Sequence, residues 1–292
     1  MTTPSLTSVV VVTADSGPGI VDAMRRVLGS DVPVELLVSD NASTDGSIER
    51  VAAAFDGDAR VRILHNGKNL GFGAGVNRAA ALARGDGLLV LNPDCLVEPD
   101  TIARLRAHAA TIANLGVLGV RILHPDRSDE AASLRRDPTL RRSLATLSGL
   151  SGAREGVDLP LDARTRGEDQ PAEAVSGALM FLPRTAFDAV GGFDEGYFLH
   201  CEDLDLCRRL RDAGYGVRYA GSIAVVHGKG GSSRHRPVFV AWHKHRGMWR
   251  WFRRFDPAAR NPLLRGIVFV GLWSRFAVLA PLLLWRRWRR AG

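Results

Sequence analysis

Four short apolar runs recur within the first ninety-five residues, spaced by about 25 residues: SVVVVT from Ser8 to Thr13, VELLVS from Val34 to Ser39, VRILH from Val61 to His65 and GLLVL from Gly87 to Leu91. An unbroken aliphatic run is what a strand buried on both faces requires, because a strand with one wet face alternates apolar and polar residues. Between the runs lie helix-forming segments, Ile20 to Leu28, Ser47 to Phe55 and Phe72 to Arg84. Strands alternating with helices predict a mostly parallel sheet joined by right-handed crossovers. With 46% hydrophobic residues in 292, there is core material for one large α/β domain or two smaller ones. Beyond Asp100 a helix to about Ala113 and a strand from Gly116 to Leu123 are expected. Residues 124–173 are polar and Arg-rich without periodicity, which predicts a mobile surface region. Pattern resumes at AVSGALMFLP, Ala174 to Pro183, as a strand, followed by a short helix and the turn GGFDEGY.

Sheets of this kind bind ligands beyond the carboxyl ends of their strands. The residues to read are therefore Thr13-Ala14-Asp15, the stretch DNASTD from Asp40 to Asp45, residues 66–75 and Asn92-Pro93-Asp94. The DNASTD and Asn92-Pro93-Asp94 edges offer acids, which suit hydroxyls, a base N–H or a cation and do not suit bare phosphate. The glycines of NLGFGAGVNRA resemble a dinucleotide loop, but the G-x-G-x-x-G spacing needs glycine where Val76 stands, and the loop follows the third strand. No phosphate-loop motif of an NTPase is present. Asp and Asn are common in ordinary turns, so the weight lies in two such turns sharing one sheet edge.

A second acidic cluster stands in YFLHCEDLDLCRRL, Tyr197 to Leu210. It reads as a metal site, an acid/base centre or the acidic start of a helix, with Leu206 and Leu210 facing a core, Asp205 pairing with Arg208 or Arg209, and Gly214 ending the helix. Zinc is disfavoured, since His200, Cys201 and Cys207 lack C-x2-C spacing. Three irregularly placed cysteines, Cys95, Cys201 and Cys207, suit a reducing compartment.

In order, VVVVT, SDNASTDGS, NLGFGAGVN, LNPD, SGALMFLPRTAFDAVGGFDEGYF and CEDLDLCRRLRDAGY closely resemble the family 2 inverting glycosyltransferases of GT-A fold, over residues 8–230. The likeness is strongest to bacterial rhamnosyltransferases that act on polyprenyl-diphosphate-linked sugars. The resemblance implies a Rossmann-like, mostly parallel sheet flanked by helices, with residues 1–95 as a nucleotide-binding half and 96–230 as an acceptor and catalytic half. It implies a nucleotide diphosphate sugar as donor, with Asp40 on the pyrimidine base, Thr13 lining the same pocket, and Asn69, Gly71, Asn77 and Asn92 near the nucleotide. It implies a divalent cation, Mg2+ or Mn2+, on Asp94, with His227 completing the metal site. Asp203 would be the catalytic base and Glu202 an orienting acid. Ala14 and Asp15 depart from the aromatic residue and Asn common in the family, and D-x-D is reduced to Asn92-Pro93-Asp94. The implied reaction is transfer of L-rhamnose from dTDP-rhamnose to a polyprenyl-diphosphate-linked or other glycan acceptor. Transfer of galactofuranose, mannose or glucose, or a non-catalytic sugar-nucleotide-binding or nucleic-acid-binding protein, are the competing readings.

The net charge of +8 is unevenly distributed. Residues 234–292 hold 14 Lys and Arg against one acid, Asp256, a balance of +13, so the other 233 residues carry −5. In HRGMWRWFRRF and LLLWRRWRR arginine interleaves with aromatics, a composition suited to nucleic acid or to a membrane surface. Leu263 to Trp285 approaches spanning length, but Arg265, Arg275 and Pro281 interrupt it. These arginines and those at 286–290 fall on an arc of about 160° on a helical wheel, which favours a helix lying in the interface. The expectation is a tail, 231–292, that associates with a membrane, with no nucleic acid partner and the oligomeric state left open. Met1 to Ser8 has no basic residue, and Val9 to Val12 is too short for a secretory h-region. The expected location is cytoplasmic, peripheral at the inner face of the cell membrane.

Overall fold

The computed structural model describes residues 5–148, 157–159, 166–228 and 236–291. Its elements, in chain order, are β1 (Thr7–Thr13), α1 (Ile20–Leu28), β2 (Val34–Asp40), α2 (Ser47–Ala54), β3 (Val61–His65), α3 (Phe72–Ala80), β4 (Gly87–Leu91), β5 (Cys95–Leu96), α4 (Thr101–Ala110) and β6 (Leu115–Leu123). There follow β7 (Leu134–Arg135), α5 (Leu140–Ser148), β8 (Asp169–Pro171), β9 (Ala174–Val175), β10 (Leu179–Pro183), α6 (Arg184–Ala189), α7 (Glu202–Asp212), β11 (Gly216–His227), α8 (Pro237–Phe255) and α9 (Pro262–Ala291).

The main sheet runs β3-β2-β1-β4-β10-β6-β11-β5, with β8 on β11. The first four strands are parallel, and Thr13 pairs with Asp40 at the end of the β1–β2 ladder. β10 runs antiparallel between β4 and β6, and β11 returns parallel to β6. The apolar runs of β1, β2 and β4 are explained by burial on both faces, whereas β3 is the sheet edge and only half-buried. Val10, Val12, Leu37, Leu88 and Val90 pack to one side with α3 and α7, while Val9, Val11, Leu36, Val38, Leu89 and Leu91 pack to the other with α1, α2 and α4.

Three expectations change. The strand predicted over Ala174 to Pro183 breaks at Ser176-Gly177. β9 turns off to pair with β7 in a separate two-stranded sheet, and only β10 stays in the main one. Within 124–173, the described residues are not featureless: β7, α5 and β8 are held by the ion pairs Arg121–Asp129 and Arg142–Glu173. The remainder of that stretch, 149–156 and 160–165, lies outside the described residues. The tail also divides. α8 docks on the α/β domain, burying Trp251 and His245. Arg250 and Arg254 grip Asp194 at 2.9 and 2.6 Å, and Arg254 reaches buried Asp205 at 3.1 Å. α9 packs on α8 and the turn at 257–260, with Trp242, Trp249, Phe269, Trp273 and Phe276 in ring contact, and leaves Leu263, Val270, Val278 and Trp288 exposed. Arg250 and Arg254 thus tie α8 to acids of the α/β domain.

Candidate active site

The ends of β1, β2 and β3 are joined by side chains. Asp40 is buried; its Oδ1 accepts from Ser43 N at 3.0 Å and its Oδ2 lies 3.4 Å from His65 Nδ1. Thr13, fully buried, donates to Ser16 Oγ at 2.9 Å. Asp15 has φ 57°, a left-handed conformation, and its Oδ1 accepts from Thr44 N at 2.7 Å, tying the β1 loop to the β2 loop. Asn41 links the β2 end to the glycine loop: its Oδ1 accepts from Asn66 Nδ2 at 2.9 Å, and its Nδ2 donates to Gly71 O at 3.0 Å. Asn69 Oδ1 accepts from Gly71 N at 2.9 Å. Gly71, at φ 88°, lies so close to the loop before α7 that a Cβ there would stand 2.4 Å from Phe198 O. That contact seats the glycine loop directly against the segment that leads into α7.

Asn77, expected near the nucleotide, is engaged by the following turn: its Nδ2 donates to Phe193 O at 2.9 Å and Glu195 Oε1 at 3.0 Å, and its Oδ1 accepts from Phe193 N at 2.9 Å. Both amide hydrogens and the carbonyl are engaged, so Asn77 clamps the GGFDEGY turn.

A cluster with metal-ligand chemistry forms where β11 meets β5. His227 pairs with Cys95 in the ladder, which sets its ring beside Asp94. Asp94, Cys95 and His227 each bring one ligand atom within 4.8 Å of the others. His227 Nε2 lies 3.2 Å from Asp94 Oδ1 and 3.3 Å from Asn92 Nδ2, and Nδ1 lies 3.1 Å from Glu130 Oε2. Burial alone would lower the imidazole pKa, but hydrogen bonds to Asp94 and Glu130 outweigh it and carry it up to about 9. Cys95 donates to Ala178 O, and burial pushes its thiol well above the usual value, which leaves it a poor ligand. Asp94 Oδ2 is buried with no hydrogen-bond partner among the described residues. A carboxylate oxygen shut away from water without a donor is costly; a cation held by Asp94 and His227 would satisfy it, so these residues fit the expected ion.

The acidic cluster opens α7. His200 and Cys201 are both left-handed, at φ 68° and 71°, and this reversal turns the first helical turn inward, burying Glu202 and Asp203. Asp203 Oδ1 accepts from Leu204 N at 2.8 Å. Its Oδ2 accepts from Arg135 Nη1 at 3.0 Å and Gly177 N at 3.2 Å. Glu202 Oε2 has no hydrogen-bond partner among the described residues, and burial together with the charge of Asp203 pushes its pKa up to about 8. His200 is partly buried, and its desolvation lowers its pKa to about 4 and keeps the ring neutral. Asp205 pairs with Arg209 at 2.5 Å, as one of the two partners expected, and with Arg254. Gly214, at φ 85°, follows the helix end.

One dipeptide joins the two clusters. Gly177 N donates to Asp203, and the next residue, Ala178, accepts from Asn92 N at 2.9 Å. Asp203 and the Asn92-Pro93-Asp94 loop thus stand on either side of the break between β9 and β10. The residues that sequence reading missed are Asn41, Glu130 and Arg135. Asn41 adjoins a singled-out aspartate, while Glu130 and Arg135 lie in a stretch without periodicity and had no sequence signal.

The model for glycosyl transferase family 2 matches residues 8–171. The chain belongs to that family. It is a glycosyltransferase, 32% identical over 284 residues to the N-acetylglucosaminyl-diphospho-decaprenol L-rhamnosyltransferase of Mycobacterium tuberculosis, a match covering 88% of this chain and 92% of that protein. Among solved structures, the mannosyltransferase PcManGT of Pyrobaculum calidifontis in complex with GDP-Man and Mn2+ is similar over 96% of this chain and 73% of its own, with TM-score 0.59 and 18% identity. GalNAc-T7 with UDP, GalNAc and Mn2+ is similar over 96% of this chain and 55% of its own, with TM-score 0.65 and 15% identity. These family 2 and structural likenesses agree with the GT-A fold expected from the ordered motifs.

Proposed function

We propose that this family 2 glycosyltransferase moves L-rhamnose from dTDP-L-rhamnose, with inversion, onto a polyprenyl-diphosphate-linked sugar at the cytoplasmic face of the membrane. The full-length likeness to the mycobacterial rhamnosyltransferase supports the choice of donor and acceptor. The observation that carries the reading is the Gly177-Ala178 bridge, which holds Asp203 on one side and the Asp94 loop on the other. Inverting displacement needs a base facing the incoming hydroxyl and charge neutralisation at the leaving group.

Asp40 accepts a hydrogen bond from the pyrimidine base, with Thr13 beside it and Asn69 and Gly71 lining the nucleotide pocket. Asp94 and His227 would hold the cation, with Glu130 at Nδ1 orienting the His227 ring, and Mg2+ or Mn2+ bound there would share the charge of the departing diphosphate. Asp203 takes the proton of the acceptor hydroxyl as the new oxygen–C1 bond forms and the bond from C1 to the diphosphate oxygen breaks. No second acid is required, because a nucleoside diphosphate leaves without being protonated, unlike the leaving sugar in glycoside hydrolysis. The Arg135 and Gly177 contacts fix the Asp203 carboxylate, and a carboxylate has lone pairs beyond those used here. Glu202 orients the acceptor.

The membrane contact belongs to α9, whose first 25 residues, Pro262–Arg286, are long and apolar enough by composition to cross a bilayer. Its pairing with α8 as far as Phe276 holds that part of α9 against a helix docked on the domain. The apolar residues beyond it, Ala277 to Trp285, are nine and extend only about 14 Å, against a hydrocarbon core of about 30 Å. α9 therefore lies in the interface.

The test is a thermal-shift panel of UDP-, GDP- and dTDP-sugars, with and without Mg2+ or Mn2+, on wild type and Asp203→Asn, followed by transfer assays. Cation-dependent protection by dTDP-rhamnose in both proteins is expected, with turnover reduced about 10²- to 10⁴-fold in the variant. Preference for a GDP-sugar overturns the rhamnosyl assignment.

A further inference from the structure

We infer that α8 is a splint for the catalytic segment and that Gly247 on it is a positioning residue for the base, an inference that rests on the role proposed above for Asp203. His243, Gly247, Arg250 and Arg254 follow one another in steps of four, three and four residues, so they share one stripe of the helix. That stripe lies along the segment from Asp194 to Asp205. The His243 ring stacks on Phe198, with centroids 4.3 Å apart and planes at 28°. Arg250 holds Asp194 at 2.9 Å, and its guanidinium carbon lies 5.3 Å from the Tyr197 ring centre. Arg254 reaches Asp205 at 3.1 Å. Gly247, between them, is buried, and a Cβ on it would stand 2.7 Å from His200 O and 3.4 Å from Cys201 Sγ.

The two residues that Gly247 touches decide where the base stands. His200 and Cys201 are the consecutive left-handed residues that turn Glu202 and Asp203 inward, and neither is a glycine. L side chains disfavour that conformation, so the reversal persists only where the surrounding packing fixes it. α8 supplies such packing at three points: on Phe198 before the reversal, on the His200 carbonyl within it and on Asp205 after it. Glycine is a poor residue for a helix interior, yet Gly247 stands near the middle of Pro237–Phe255. Its missing Cβ is what lets the two backbones close. Arg135 and Gly177 N fix the Asp203 carboxylate, whereas α8 fixes the backbone that carries it. The helix against which α9 packs therefore also sets the position of the base.

The test uses the full-length protein with Gly247→Ala, His243→Ala and His243→Phe. Gly247→Ala puts a methyl group against the His200 carbonyl, and a misplacement of about 1 Å is enough to cost roughly a hundred-fold in rate. With a decyl-diphosphate-linked hexosamine as acceptor, kcat is expected to fall roughly ten- to hundred-fold. KM for the donor, and the affinity for dTDP measured by calorimetry, should change no more than a few-fold. His243→Ala removes the stack without adding bulk; kcat is expected to fall roughly three- to ten-fold, and His243→Phe, which keeps a ring on Phe198, to restore it. Thermal melts check folding, and amide hydrogen exchange over residues 198–205 is expected to be faster in Gly247→Ala and His243→Ala than in wild type. A folded Gly247→Ala with wild-type kcat, a His243→Phe no better than His243→Ala, or exchange equal to wild type in every variant overturns the inference. If Gly247→Ala does not fold, the His243 pair decides. Full turnover by Asp203→Asn overturns the base assignment instead, and hydrogen exchange over 198–205 still decides whether α8 holds the segment.

Discussion

Glu202 and Asp203 are adjacent in sequence and opposite in setting. The Asp203 carboxylate faces Arg135 and two backbone N–H groups, whereas Glu202 Oε2 is buried without a hydrogen-bond partner among the described residues. With its pKa pushed from 4.5 up to about 8, Glu202 keeps a proton in the folded protein that the unfolded chain releases over that interval. Its contribution to stability therefore falls as pH rises through the window and is lowest above about 8. Glu202→Gln removes this loss. Urea unfolding at pH 5 and pH 9 is expected to show the variant gaining on wild type at the higher pH, by an amount on the order of 2 kcal/mol. An identical pH dependence in both proteins would mean that Glu202 titrates normally. The acidity of the cluster was legible in CEDLD, but the division of labour within it was not, since it depends on Arg135, 68 residues earlier.

Elements here are positioned by a few polar clamps as much as by apolar faces. The α3 start and the 193–198 loop are held together by Asn77, with three hydrogen bonds to Phe193 and Glu195, and by the close approach at Gly71. Asn77→Ala is expected to cost about 2–4 kcal/mol, since buried backbone groups lose their partners. Nucleotide affinity, measured by calorimetry, should change no more than a few-fold. A large affinity loss at unchanged stability would return Asn77 to the nucleotide pocket. Every strand and helix of the first ninety-one residues was readable in advance, because burial on both sheet faces leaves unbroken apolar runs. The break at Ser176-Gly177 was not, because AVSGALMFLP is apolar on both sides of the kink and only the pairing of β9 with β7 reveals it.

At the scale of the whole molecule, the α/β domain and the proposed membrane contact are joined through the α8–α9 hairpin. α8 belongs to the enzyme through Asp194 and Asp205, and α9 presents exposed Leu, Val and Trp side chains beyond it. Removing residues 262–292 is expected to abolish co-sedimentation with anionic vesicles. Full-length protein should leave membranes in alkaline carbonate, as interfacial helices do; retention there would identify a span.

The sequence by itself determined the α/β class, the order of strands and helices, the family and the loops that carry its acids. These follow from periodicity and local turn chemistry, which short stretches encode completely. The tertiary structure alone decided that Arg135 backs Asp203 and that Glu130 backs His227. Each depends on a pairing between residues far apart in the chain, and no local pattern specifies which distant charge a buried carboxylate will meet.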